Sequence, residues 1–174
     1  MQISLNAIDW TQLTSFSTAE KFLEWYEDKE EDELRLISCY DNGWDSDSAI
    51  QYFEVAAVLE HLSSICDSDT TVHLREGIQK LVAETGQIDE FEMMEPSDGL
   101  YWISASPTTT ALIKAHIDAV DLQQCVELLR SDPPTDADDI MEDLDEMFVS
   151  FIKQHSKMVD VAVSTGYGLL GQCG

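Results

Sequence analysis

Hydrophobic positions along the chain fall into helical spacing over most of its length and into strict alternation only in short stretches. Ser17-Thr18-Ala19-Glu20 has the form of a capping box, with Ser17 as cap and Glu20 reaching back, and Phe22, Leu23, Trp25 and Tyr26 follow as an inward stripe. Segment 40–47 is dense in turn formers around Asn42-Gly43 and predicts a loop. Ile50, Phe53, Val55, Ala57, Val58, Leu59 and Leu62 then predict a largely buried helix over 48–65, with a shorter one over 71–84 closing at Gly86.

Glu95-Pro96-Ser97-Asp98-Gly99 interrupts the helical pattern, and the aromatic and β-branched content of 100–104 predicts a short strand. Ser106 reads as the N-cap of the next helix and Pro107 as its first residue, with Ala111, Leu112, Ala115 and Ala119 on the inward face. Asp121 caps another helix through Leu129, which Ser131-Asp132-Pro133-Pro134 ends. A last long helix is predicted over 135–157 from Ile140, Met141, Leu144, Met147, Phe148, Phe151 and Ile152, with Lys153 and Lys157 complementing the dipole in its last turn. Alternation at Val159-Asp160-Val161-Ala162-Val163 predicts a strand at 159–164, followed by a glycine-rich C-terminal tail, 165–174.

These elements predict an α+β, predominantly helical fold, with about six helices and a small sheet including strands near 100–104 and 159–164. The 174 residues, 44% hydrophobic, suit a single globular domain, 1–174, with one core. Charge narrows the function classes. The chain carries 35 acidic and 9 basic side chains, a formal charge of −26, and so repels nucleic-acid phosphates and anionic membrane surfaces. The N-terminus lacks the basic and apolar regions of a secretory signal, and no apolar run reaches the ~18–20 residues of a membrane span, so a cytoplasmic location is expected.

Motifs that would carry chemistry are weak. Gly166, Gly168 and Gly171 spell G-x-G-x-x-G after the predicted strand, but too little chain follows to form the βαβ unit that brings pyrophosphate to a helix N-terminus, so a flexible or hairpin-like end is expected. Asp41, Asp45 and Asp47, and Asp136, Asp138 and Asp139, lack the calcium loop's glycine and terminal glutamate at the required places. His61, His73, His116 and His155 share no metal-binding spacing, and a site would need them to converge in space. Cys39, Cys66, Cys125 and Cys173 form no C-x-x-C pair and read as isolated, mostly buried thiols. No G-x-S-x-G occurs, and neither a cofactor nor a metal is expected; catalysis has no support in the sequence.

The most distinctive feature is the acidic run Asp136, Asp138, Asp139, Glu142, Asp143, Asp145 and Glu146. On a helix Asp138, Glu142 and Asp145 share one face, and Asp139, Asp143 and Glu146 form an adjacent stripe. Such stripes can imitate phosphate spacing or meet Arg and Lys on a partner; the plain alternative is a solvated helix face. A second acidic stretch occupies 27–33. Trp44, flanked by acids, is a candidate interface anchor, or else a tryptophan that caps the core.

The Asp41-Asn42-Gly43-Trp44 loop, the Tyr101-Trp102-Ile103-Ser104 segment leading into Ser106-Pro107, and the long acidic helix before Val161-Ala162-Val163 together resemble the YfbM-like family of small bacterial proteins, a domain of unknown function. The resemblance implies an α+β fold in a bacterial cytosol and transfers no catalytic residue; the glycine-rich extension 164–174 departs from it. The expected function is an acidic interaction protein that binds and masks a basic partner, a toxin or a nucleic-acid-binding protein, as an immunity protein or nucleic-acid-mimic inhibitor does. The alternatives are an enzyme on a small molecule, with carboxylates assembled from separate segments, or a self-associating regulatory subunit marked by an exposed apolar patch.

Overall fold

The computed structural model describes residues 3–28, 38–39, 52–81, 88, 90–91, 101–134 and 144–173. In chain order they form β1 (Ile3–Ile8), α1 (Trp10–Thr14), α2 (Ala19–Glu27), β2 (Ser38–Cys39), α3 (Tyr52–Ile65) and α4 (Ser68–His73). A π-helical turn (Leu74–Ile78) and a 3-10 turn (Gln79–Leu81) continue α4; then come β3 (Tyr101–Ala105), α5 (Pro107–Ala119), α6 (Leu122–Ser131), α7 (Leu144–Thr165) and β4 (Gly168–Cys173). The fold is α+β and predominantly helical, with a four-stranded sheet in the order β2-β1-β4-β3, antiparallel throughout.

The C-terminal segment is an interior strand of this sheet. β4 pairs with β1 from Ile3↔Cys173 to Ile8↔Gly168 and with β3 from Tyr101↔Cys173 to Ala105↔Leu169. The glycine-rich tail expected at 165–174 is thereby corrected: its backbone groups bond on both sides, and Gly168 is buried where an added Cβ would meet the Ala105 carbonyl and the Trp10 ring. Leu5, Ala7, Ile103, Ala105 and Leu169 face the main core with α3, α5, α6 and α7. Ile8 and Leu170, one residue out of phase, face the other side with Leu13 and Phe22. Phe22 is fully buried among Phe16, Trp25, Tyr26 and Phe91, at centroid distances of 5.4, 6.0, 5.6 and 6.3 Å.

The strand expected at 159–164 is helix. Phe148, Phe151, Ile152, His155, Met158, Val159 and Ala162 are all buried, and their spacing of three and four carries the inward stripe of α7 to its end. The V-x-V-x-V alternation lost because Val163 is exposed and Val161 half-buried, as one side of a helix requires. Gly166, with φ 73°, ends the helix: its N–H donates to Val163 and that of Tyr167 to Ala162, the paired bonds of a Schellman motif. Lys153 and Lys157 therefore lie in mid-helix and do not complement its C-terminus.

Two local expectations also shift. The cap of α2 is Thr18, whose hydroxyl accepts from the Lys21 N–H at 3.3 Å; Ser17 lies one residue outside. On α5 the inward residues are Thr110, Ile113 and Ile117, whereas Ala111, Leu112, Ala115 and Ala119 are exposed, Leu112 at 59%. Counting the small apolar residues selected the wrong face, because a threonine takes an inward place by donating to the Ser106 carbonyl at 2.8 Å. Ser106 as N-cap, Pro107 in the first turn and Asp121 as the cap of α6 stand as predicted.

Candidate functional site

Asp136, Asp138, Asp139, Glu142, Asp143 and Trp44 lie outside the described residues, as do the loop carboxylates Asp41, Asp45 and Asp47. Asp145 and Glu146 fall in the first turn of α7, so the acidic run leads directly into a helix. Of the second acidic stretch, Glu27 ends α2 and Asp28 is its C-cap.

No Asp or Glu is buried among the residues whose side-chain burial is described. Several of these carboxylates act locally. Asp9, Asp67 and Asp121 cap helices, and the bonds from Thr70 hold Asp67 below the ordinary carboxylate range. Glu90 accepts from the Ser106 N–H and the Thr109 hydroxyl; partial burial opposes its ionisation, but these bonds prevail and its pKa is lowered. Buried Ser104 holds the same segment, its hydroxyl accepting from the Glu90 and Phe91 N–H groups at 3.0 and 2.8 Å.

Lys114 on α5 contacts Asp118 at 2.8 Å and Asp160 on α7 at 2.7 Å; the hydrogen bonds, Asp118 first, push its pKa up. Lys80 pairs with Glu76. With nine cations for 35 carboxylates, pairing within the chain leaves most of the negative charge uncompensated.

Two convergences appear that sequence spacing does not contain. His73, at the end of α4, and His116, on α5, bring their Nδ1 atoms to 3.0 Å, with ring centroids 5.2 Å apart and both side chains half-buried. The elements meet through Gly77 in the π turn, where an added Cβ would lie 2.8 Å from the Ile117 N and 3.1 Å from the His116 Cβ. That helical glycine was the available signal, since an isolated glycine in a helical pattern often marks close backbone packing.

Cys66 and Cys125 are both free thiols, as expected, and lie close enough to affect each other's ionisation, a proximity that their spacing in the chain does not reveal. Burial pushes Cys125 up to about 12 and raises Cys66 as well, which keeps both protonated at neutral pH.

The other histidines act singly. His61 Nε2 donates to the Asp132 carbonyl at 2.6 Å and ties α3 to the end of α6. His155 is buried in α7, with Nδ1 donating to the Phe151 carbonyl at 3.0 Å and its ring centroid 3.9 Å from that of Phe151, the planes tilted by 36°. Burial lowers its pKa to about 4, so it is neutral at pH 7.

Among the described residues no group of three or more His, Cys, Asp or Glu forms a metal cluster, and no helix is long and apolar enough to cross a membrane. No family model, no curated protein and no solved structure matches the chain, so no residue role is carried over from another protein.

Proposed function

We propose that the chain is an acidic interaction protein that binds and masks a basic partner, as an immunity protein or an inhibitor that mimics nucleic acid does. One observation carries this reading: 35 carboxylates against nine cations, a charge of −26. None of the carboxylates whose burial is described is buried, so their field reaches a partner at a distance. A field of this size attracts and orients a cationic protein and raises association rates by roughly 10- to 1000-fold. The partner-binding segment in this reading is the acidic run Asp136, Asp138, Asp139, Glu142, Asp143, Asp145 and Glu146, with Trp44 as an anchor that sets the lifetime of the complex. The setting is a bacterial cytoplasm.

The test is the association rate of the triple variant Asp138→Asn, Glu142→Gln, Asp145→Asn with the captured partner at low salt. A fall of about tenfold or more that closes as salt rises is expected. Equal rates for variant and wild type at low salt reject this face.

A second reading, self-association, has one specific observation in its favour: the exposed apolar stripe Ala111, Leu112, Ala115 and Ala119 on α5. Mutual repulsion between two chains of charge −26 opposes it. Light scattering at low and high salt decides: a monomer at both concentrations removes this reading.

A further inference from the structure

The His73–His116 contact is the one place among the described residues where two metal-ligating side chains from separate elements aim ring nitrogens at each other. We propose that this pair is a binding site for a borderline transition-metal dication such as Ni2+, Cu2+ or Zn2+, held by the two Nδ1 atoms with water in its remaining positions.

The distances fit. A metal about 2.0–2.1 Å from each imidazole nitrogen, with the nitrogens 3.0 Å apart, subtends an angle of about 95°. That is a cis pair in square-planar or octahedral coordination; opening the nitrogens to about 3.4 Å gives the tetrahedral angle zinc prefers. In that triangle each Nδ1 lone pair leaves the N···N line by about 43°, so both rings, now inclined by 49° to each other, turn on metal binding to face a common point. As they stand, one Nδ1 donates a proton and the other accepts. On metal binding the donor ring shifts that proton to its Nε2 through solvent, which leaves both rings neutral and both Nδ1 atoms free to ligate.

The surroundings favour this occupant. Both rings are half-buried, neither sealed in the core nor loose in water. The π-helical turn begins directly after His73 and seats Gly77 against His116, which fixes the pair without using a side chain between them. Asp69, exposed one turn before His73, and the chain's overall charge concentrate dications around the site. The imidazoles then select transition metals over Mg2+ and Ca2+, which prefer oxygen ligands.

The experiment is calorimetric titration of the full chain with Ni2+, in excess Mg2+ to occupy weak carboxylate sites, beside the Cu2+ electron paramagnetic resonance spectrum at one equivalent. One Ni2+ per chain is expected, weakened about tenfold or more in His73→Gln and in His116→Gln and unchanged in His61→Gln, with a Cu2+ spectrum split by two imidazole nitrogens. Circular dichroism of the metal-free variants confirms that they fold. Ni2+ affinity indifferent to both substitutions, or a Cu2+ spectrum without nitrogen splitting in the unaltered chain, overturns the proposal; the spectrum decides even if a variant unfolds.

Discussion

Gly77→Ala tests the packing that joins the π turn to α5. In an exposed helical position alanine would stabilise by about 1 kcal/mol relative to glycine. Here the new methyl would lie 2.8 Å from the Ile117 backbone N and 3.1 Å from both the Ile117 Cγ1 and the His116 Cβ. The nearest atom is backbone and cannot rotate aside, so the helices must separate; overpacking of this kind costs about 1–3 kcal/mol. Against the propensity gain, and with the clash in the upper part of that range, the net loss is about 1–2 kcal/mol. In a chain of 174 residues that lowers Tm by about 2–8 °C, measured by thermal melts followed by circular dichroism. The same separation pulls His116 from His73, so the Nδ1–H signal of the pair should shift in the nuclear magnetic resonance spectrum. A variant that melts at or above the wild-type temperature would refute the close approach of the π turn to α5 at Gly77.

Other outcomes follow from single sites. Truncating Phe22 to alanine removes the ring at the centre of the aromatic cluster and should cost about 3–5 kcal/mol in urea unfolding; a loss below about 1 kcal/mol would mean that the layer over the outer sheet face is not packed as described. His155 takes its proton at about 4 in the fold and near 6.5 unfolded, so the unfolded chain binds the extra proton between these values and stability drains as pH falls through that window, by up to roughly 3 kcal/mol. His155→Leu should remove this component and leave the difference between the two proteins constant above about pH 6.5; parallel stability curves down to pH 4 would contradict it. Raising NaCl from about 0.01 M to about 1 M should raise Tm by a few °C, because screening relieves the self-repulsion of 35 carboxylates; a flat response would show that the charges are spaced too far apart to repel.

Much of the helical framework was legible in the residues, and the failures have physical causes. Ser106-Pro107 and Asp121 mark helix starts through local hydrogen bonds, and local signals survive folding. The strand at Tyr101–Ala105 carried its own aromatic and β-branched signature. By contrast, β4 has glycines where strands usually have bulk, because as an interior strand it is approached by Trp10 and the Ala105 carbonyl; that crowding depends on residues far away in the chain. Val159–Val163 has local strand character, but the continuous stripe from Phe148 to Ala162 outweighs it once there is a core to face. The His73–His116 and Cys66–Cys125 contacts join separate helices, and no spacing within one segment encodes them. The net charge of −26, in contrast, was plain from composition alone, since charge sums whatever the fold, and the acidic run from residue order alone.

A specific counterpart to that charge is tested most directly by a paired capture from native host lysate at low salt, eluted by a salt step. Wild-type chain and the variant Asp138→Asn, Glu142→Gln, Asp145→Asn are used side by side, with mass spectrometry of both eluates. The predicted result is one basic protein recovered in stoichiometric amount by the wild type and strongly depleted with the variant. A smear of unrelated cationic proteins, nothing at all, or equal recovery on both would contradict a dedicated basic partner for the acidic face.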